Sequence, residues 1–199
     1  NGAQIDTTLS GAYVALVAPS VTNDGTITVD GSVALVAADA ATLTFSPNGL
    51  FDILVTSGTS SSATVAANGG TITGPVSPNV NSFHRVYMVA VAKNDAISIA
   101  LGSGSTLGFD IAGAADVIGN AVVLSAGYDV SGGIPSVVPS AGGGTGLVSV
   151  TGTDADVTSS FLARANGGVN LGSNSATGLN FAWDANIFGA GASSSLYAN

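Results

Sequence analysis

The pentapeptide VALVA occurs twice, at residues 14–18 and 33–37. The same texture surrounds both copies: a glycine turn, a short apolar strand, a polar corner and a threonine-flanked strand. Those flanking strands are Thr26-Ile27-Thr28 and Thr42-Leu43-Thr44. Self-similarity at a period of about 20 residues is the mark of units too small to bury a core alone, which must stack on their neighbours. One turn of a parallel β-helix has that length, with two or three strands of about 4–6 residues joined by tight turns. Alternation predicts Val14, Leu16, Val21 and Ile27 as inward-facing in the first unit, and Val33, Leu35, Leu43 and Phe45 in the second. Asn23-Asp24-Gly25 and Asp30-Gly31 supply the corners, since these residue types adopt positive φ at low cost.

Composition agrees with an all-β chain. Hydrophobic residues make up 46% of the 199 residues and charged residues 8%, and glutamate is absent. Lysine, arginine and glutamine, all good helix formers, are scarce, while β-branched residues are abundant. The net charge of −9 sets 12 aspartates against Arg85, Lys93 and Arg164. Three cations cannot neutralise a phosphate backbone, so nucleic acid is a poor partner, and anionic membrane surfaces are equally poor. There is no cysteine, which removes disulfides, thiolate metal sites and cysteine nucleophiles together. No uninterrupted apolar run of about 18 residues exists, so no membrane insertion is expected. No basic-then-apolar leader opens the chain, and Asn1 reads as an internal cut.

The wording of the repeated strands adds a family likeness. VALVA-P, a corner containing VTN, then DGTITV and a second GSVALVA strand resemble the secretion-domain region of filamentous-haemagglutinin-like exoproteins, exported by two-partner secretion. The likeness is clearest over residues 11–55 and returns over residues 120–130, NAVVLSAGYDV. It implies a right-handed parallel β-helix outside the cell, serving as a stalk or adhesive filament. No binding residue follows from it.

The remaining segments divide the chain into three stretches. Residues 1–131 read as β-solenoid, with a Ser/Thr/Gly-rich excursion at 57–81 broken by Pro75 and Pro78. Such an excursion from a regular scaffold serves recognition or plain connection. Within the first stretch, FHRVYMVAV (residues 83–91) is the most distinctive strand. Arg85, Tyr87 and Val89 share one of its faces, and His84, Val86, Met88 and Ala90 the other. Residues 132–146, with two prolines and six glycines, read as a flexible crossing, and 147–199 as further short-strand solenoid. Neither end carries the polar capping unit that solenoids use, which favours a piece of a longer chain or end-to-end stacking of copies.

The sequence offers little catalytic chemistry. His84 is the only histidine, and no G-x-S-x-G elbow accompanies it, so a structural histidine is expected and not an enzyme. Carboxylate pairs for glycoside hydrolysis would be Asp154 with Asp156, or Asp129 with a neighbour on an adjacent turn, yet their contexts read as exposed. Calcium is the cofactor the sequence best accommodates. Gly152-Thr153-Asp154-Ala155-Asp156 puts the Asp154 and Asp156 carboxylates at i and i+2, on one side of an extended chain. Thr-x-Thr pairs at Thr26/Thr28, Thr42/Thr44 and Thr71/Thr73 suit the outer face of strands, or, were they stacked in a row, an ice-binding face.

Repeat and composition therefore lead to an all-β, parallel β-helix with loop excursions, right-handed as the resemblance implies. Its expected role is structural or adhesive, in a bacterial extracellular surface filament, with copies of itself, neighbouring segments of a longer chain, or a glycan or cell-surface receptor as partners. The alternatives are a polysaccharide-binding or polysaccharide-cleaving β-helix, and a β-sandwich subunit of a self-assembling surface layer or filament.

Overall fold

The computed structural model describes residues 2–78, 81–102, 104–109, 120–141, 144–150, 156–157, 160–171, 186–189 and 195–196. Its strands are β1 (Gln4–Ala18), β2 (Val21–Asn23), β3 (Thr26–Phe45), β4 (Phe51–Gly58), β5 (Ala63–Asn68) and β6 (Thr71–Thr73). They continue with β7 (His84–Ala90), β8 (Ile97–Leu101), β9 (Thr106–Leu107), β10 (Asn120–Ala126), β11 (Tyr128–Ser131) and β12 (Ile134–Pro139). The last six are β13 (Gly146–Val150), β14 (Asp156–Val157), β15 (Ser160–Ala165), β16 (Gly168–Leu171), β17 (Asn186–Gly189) and β18 (Ser195–Leu196).

Among the described residues these strands form two sheets. One is parallel and six-stranded, in the order β2-β5-β8-β13-β16-β18. The other has twelve strands and is mixed. Its central run, β1-β3-β7-β10-β15-β17, is parallel throughout. The two VALVA copies lie side by side in that run, Val14 against Val33 and Ala18 against Ala37. β3 is the hub. Its first half belongs to the parallel run, and its second half turns into an antiparallel hairpin with β4, from Ala38 opposite Gly58 to Phe45 opposite Phe51. β11 and β12 extend that antiparallel part.

Alternating side chains of the central run feed two separate cores. Val33, Leu35 and Ala37 of β3, Val86, Met88 and Ala90 of β7, and Val122 and Leu124 of β10 pack with Val65, Ile99, Val148 and Val169 of the six-stranded sheet. The intervening residues, Ala34, Val36, Tyr87, Val89, Ala121 and Val123, pack with Phe51, Ile53, Val55 and Val130 of the antiparallel strands. The antiparallel part is thus an outer layer laid over the parallel run. Strands buried on both faces read as unbroken apolar runs, which is why β7 and β10 carry VYMVA and AVVLSA. Burying each Val, Leu or Met side chain contributes roughly 1.5–3 kcal/mol.

This arrangement corrects the expected fold. The chain is all-β, but the expected parallel β-helix solenoid is not what forms. The larger sheet is mixed, and the sequence intervals between in-register partners are irregular. One register column passes from Val14 to Val33, then to Val86, Val122 and Phe161, so only its first step is short. The period of the VALVA repeat holds once, because the chain leaves the parallel run after Ala37 to build the hairpin. The inward assignments of Val14, Val21, Ile27, Val33 and Leu35 match the first core. Leu43 packs at the margin of the second core, and Phe45 stays 51% exposed.

Candidate functional site

The outer layer is positioned by side-chain hydrogen bonds from several strands. Its hairpin turn, Ser131-Gly132-Gly133-Ile134, has positive φ at both central residues, 60° and 74°, as a two-residue primed turn requires. Gly133 has a second reason to lack a side chain. A Cβ there would lie 2.6 Å from Leu50 Cδ2 and 3.1 Å from the Tyr87 hydroxyl oxygen. The turn is gripped from two directions. Gly132 N donates to Asp52 Oδ1 at 2.6 Å, and Arg85 Nη1 donates to the Gly133 carbonyl at 2.6 Å.

A reciprocal pair of aspartates ties the layer together. β4 and β11 share the single antiparallel pair Val130 and Ile53. Asp52 of β4 reaches the Gly132 amide beyond the end of β11, while Asp129 of β11 accepts from Val55 N of β4 at 3.0 Å. Asp129 also accepts from Ser140 Oγ at 2.7 Å, fixing the far end of β12. A second arginine anchors β12, since Arg164 Nη1 donates to Ser136 O at 2.6 Å with its guanidinium 5.1 Å from the Tyr128 ring centroid. Burial lowers the Arg85 pKa from its ordinary value. The Tyr87 hydroxyl beneath the turn is pushed up to about 12, chiefly by burial.

On the outside of this layer stand apolar side chains. Ile134 is 51% exposed, Val137 80%, Val138 67% and Leu54 54%. The sequence pattern did not single them out. The Gly132-Gly133 pair flanked by strand-like runs was the available signal for the hairpin, and it falls inside the stretch read as a crossing.

His84 has a structural setting. It is buried, with Nδ1 2.8 Å from the Pro75 carbonyl, so Nδ1 carries the proton and Nε2 faces Asp30 Oδ1 at 3.6 Å. The ring meets Phe109 edge-on at 5.5 Å, and its register partner Asn120 accepts from Ser77 N at 2.9 Å. His84 thus ties Pro75 to β7, and Asn120 ties Ser77 to β10.

The third place of interest is the end of the sheets where β1 and β2 lie. A cavity of about 240 Å³ opens there, lined by Ile5, Leu16 and Ile27 with Thr22, Asn23 and Asp24 at its rim. Asn23 Nδ2 donates to Asn68 Oδ1 at 2.7 Å, and both are buried.

Of the residues singled out for calcium, Asp154 lies outside the described residues. Asp156 begins β14, in register with Thr106 of β9. Among the described residues no group of three or more His, Cys, Asp or Glu is placed to hold a metal. Asp129, considered for hydrolysis, is engaged with the Val55 amide and Ser140. Two of the three Thr-x-Thr pairs do stack, Thr26 on Thr71 and Thr28 on Thr73. Thr42 and Thr44 lie apart, in the antiparallel hairpin. The described part of 57–81 carries β5 and β6, both members of the sheets.

Searches against protein-family models, curated proteins and solved structures find no match to this chain.

Proposed function

We propose that this chain is a structural and adhesive segment of a bacterial extracellular surface filament, acting by contact and without catalysis. The observation that supports the reading best is the outer layer. It is braced by Asp52, Arg85, Asp129 and Arg164, and it holds Leu54, Ile134, Val137 and Val138 outward. Apolar side chains exposed on a braced scaffold suit protein contact, because little conformational entropy is lost when they dock. The partner in this reading is a receptor protein on a cell surface. The aspartates of the layer act as acceptors for backbone amides, a bracing role.

Binding of the purified protein to intact cells, compared with a Val137→Ser/Val138→Ser variant, tests this. Both positions are exposed, so the variant keeps its thermal midpoint, and the reading expects its cell binding to fall at least tenfold. Equal binding by the two proteins, or binding abolished by glycosidase treatment of the cells, would overturn the protein-receptor reading.

A further inference from the structure

We propose that β1 and β2 receive β17 and β18 of a second copy of this chain, added head to tail in the same orientation, so that both sheets run through the junction. The proposal rests on the filament reading and supplies its assembly contact. Four observations converge on it.

First, among the described residues each sheet ends in a strand with a single neighbour at the same two ends. Among the described residues β1 pairs with β3 alone and β2 with β5 alone, while β17 and β18 are the terminal strands at the opposite end. Unpaired strand edges are templates for another chain. Second, two of the three parallel ladders are equally deep, while the third, β1-β3-β6-β9-β14, shows five strands among the described residues. Six strands run from β1 to β17 and six from β2 to β18, all parallel. One translation by six strand spacings, about 29 Å, therefore brings both edges of a second copy into pairing distance at once, with the correct polarity.

Third, the register columns match across the junction. One column of the central run reads Leu16, Leu35, Met88, Leu124, Ala163, Ile187, and another reads Ala18, Ala37, Ala90, Ala126, Ala165, Gly189. The next copy sets position 187 beside Leu16 and position 189 beside Ala18, the pairings of residue type already used inside the sheet. Fourth, the first core is open where β1 and β2 lie, in the cavity floored by Ile5, Leu16 and Ile27, and an added strand pair would cover it.

The competing edge is guarded. β12 carries Pro135 and Pro139, which lack the amide that strand addition needs, whereas β1 runs its whole length without proline. Such a contact is heterologous and does not close, so it propagates into a filament. The net charge of −9 opposes it, so assembly increases with ionic strength.

Light scattering and electron microscopy across a concentration and salt series test the proposal. Filaments with an axial repeat of about 29 Å, six strand spacings, are expected. A protein that stays monomeric at every concentration and salt level would overturn it. Two charge variants give the sharper test. Leu16→Asp blocks the β1 end and Ile187→Asp blocks the β17 end, so each alone stays monomeric. Mixed, they should form dimers that cannot extend, because each retains the end the other has lost. Filaments from either single variant, or an unmixed pair of monomers when both variants keep the wild-type circular dichroism, would overturn the head-to-tail contact. Cell binding by the monomeric variants is read separately, so loss of assembly and loss of adhesion are told apart.

Discussion

Arg85 of β7 and Gly133 in the turn between β11 and β12 are joined by a 2.6 Å hydrogen bond that links the parallel run to the layer above it. The guanidinium lies 5.1 Å from the Phe83 ring centroid, and its buried Nε has no hydrogen-bond partner among the described residues. A charge-assisted bond contributes about 1.5–3 kcal/mol, and the desolvated Nε offsets part of that. Arg85→Met, which keeps most of the apolar stem, is therefore expected to cost about 1–2 kcal/mol. Urea unfolding would measure it. A neutral result would mean that the turn is held by Asp52 and packing alone.

Asp52 and Asp129 brace the one ladder pair between β4 and β11 from opposite sides, so they are expected to act locally. Asp129→Ala leaves the Val55 amide without its acceptor, and Asp52→Ala does the same to Gly132. Losing the Asp129 acceptor should weaken the outer layer by about 1–3 kcal/mol, roughly a five- to 160-fold rise in hydrogen exchange at the Val55 amide. Losing Asp52 should weaken it by about 0.5–1.5 kcal/mol, because water can reach the exposed Gly132 amide. Amides of β7 and β10 should keep their protection. Uniform acceleration through the whole chain would show instead that layer and parallel run unfold as one unit.

Much of this was legible from residue type alone. The doubled VALVA strands do lie together in register, and the two faces of residues 84–90 separate as alternation requires, with Met88 in one core and Tyr87 in the other. The antiparallel layer was not legible. Alternation assigns side chains to two faces but cannot say that both are covered, and the runs VALVA and VYMVA suit a strand buried on one side or two. The clue lay in the middle of β3, where Ala37-Ala38 continues the apolar run past the length of a single strand. Nor could spacing place Asp52 beside Gly132, 80 residues apart in sequence, because that contact depends on where the hairpin folds back.

Gly31 lies opposite Ala12 where β3 pairs with β1. A Cβ at this position would sit 1.9 Å from the Ala12 carbonyl oxygen and 2.8 Å from its nitrogen, both backbone atoms. No rotamer change relieves that contact, so β1 must move away from β3. Gly31→Ala is expected to destabilise by about 1–3 kcal/mol or more. Gly2→Ala, where a Cβ meets nothing within 4 Å, should be nearly silent. Thermal unfolding of the pair gives the comparison, and equal midpoints would contradict the close approach.

Tyr87 gives the fold an alkaline limit. Its hydroxyl lies in the second core, 3.4 Å from the Phe51 amide, and burial pushes its pKa from 10.0 to about 12. A raised tyrosine pKa means that the folded chain holds the proton when the unfolded chain has already released it. The contribution to stability is therefore complete below the unfolded value and declines as pH rises towards the folded one. Two pH units of difference correspond to about 3 kcal/mol at most. Stability measured by urea unfolding should fall steadily between pH 10 and 12, and Tyr87→Phe should flatten that part of the curve because it has no proton to lose. The variant loses only a long hydrogen bond, so its stability at neutral pH should drop by no more than about 1 kcal/mol. An unchanged alkaline slope in Tyr87→Phe would place the pH sensitivity on another group.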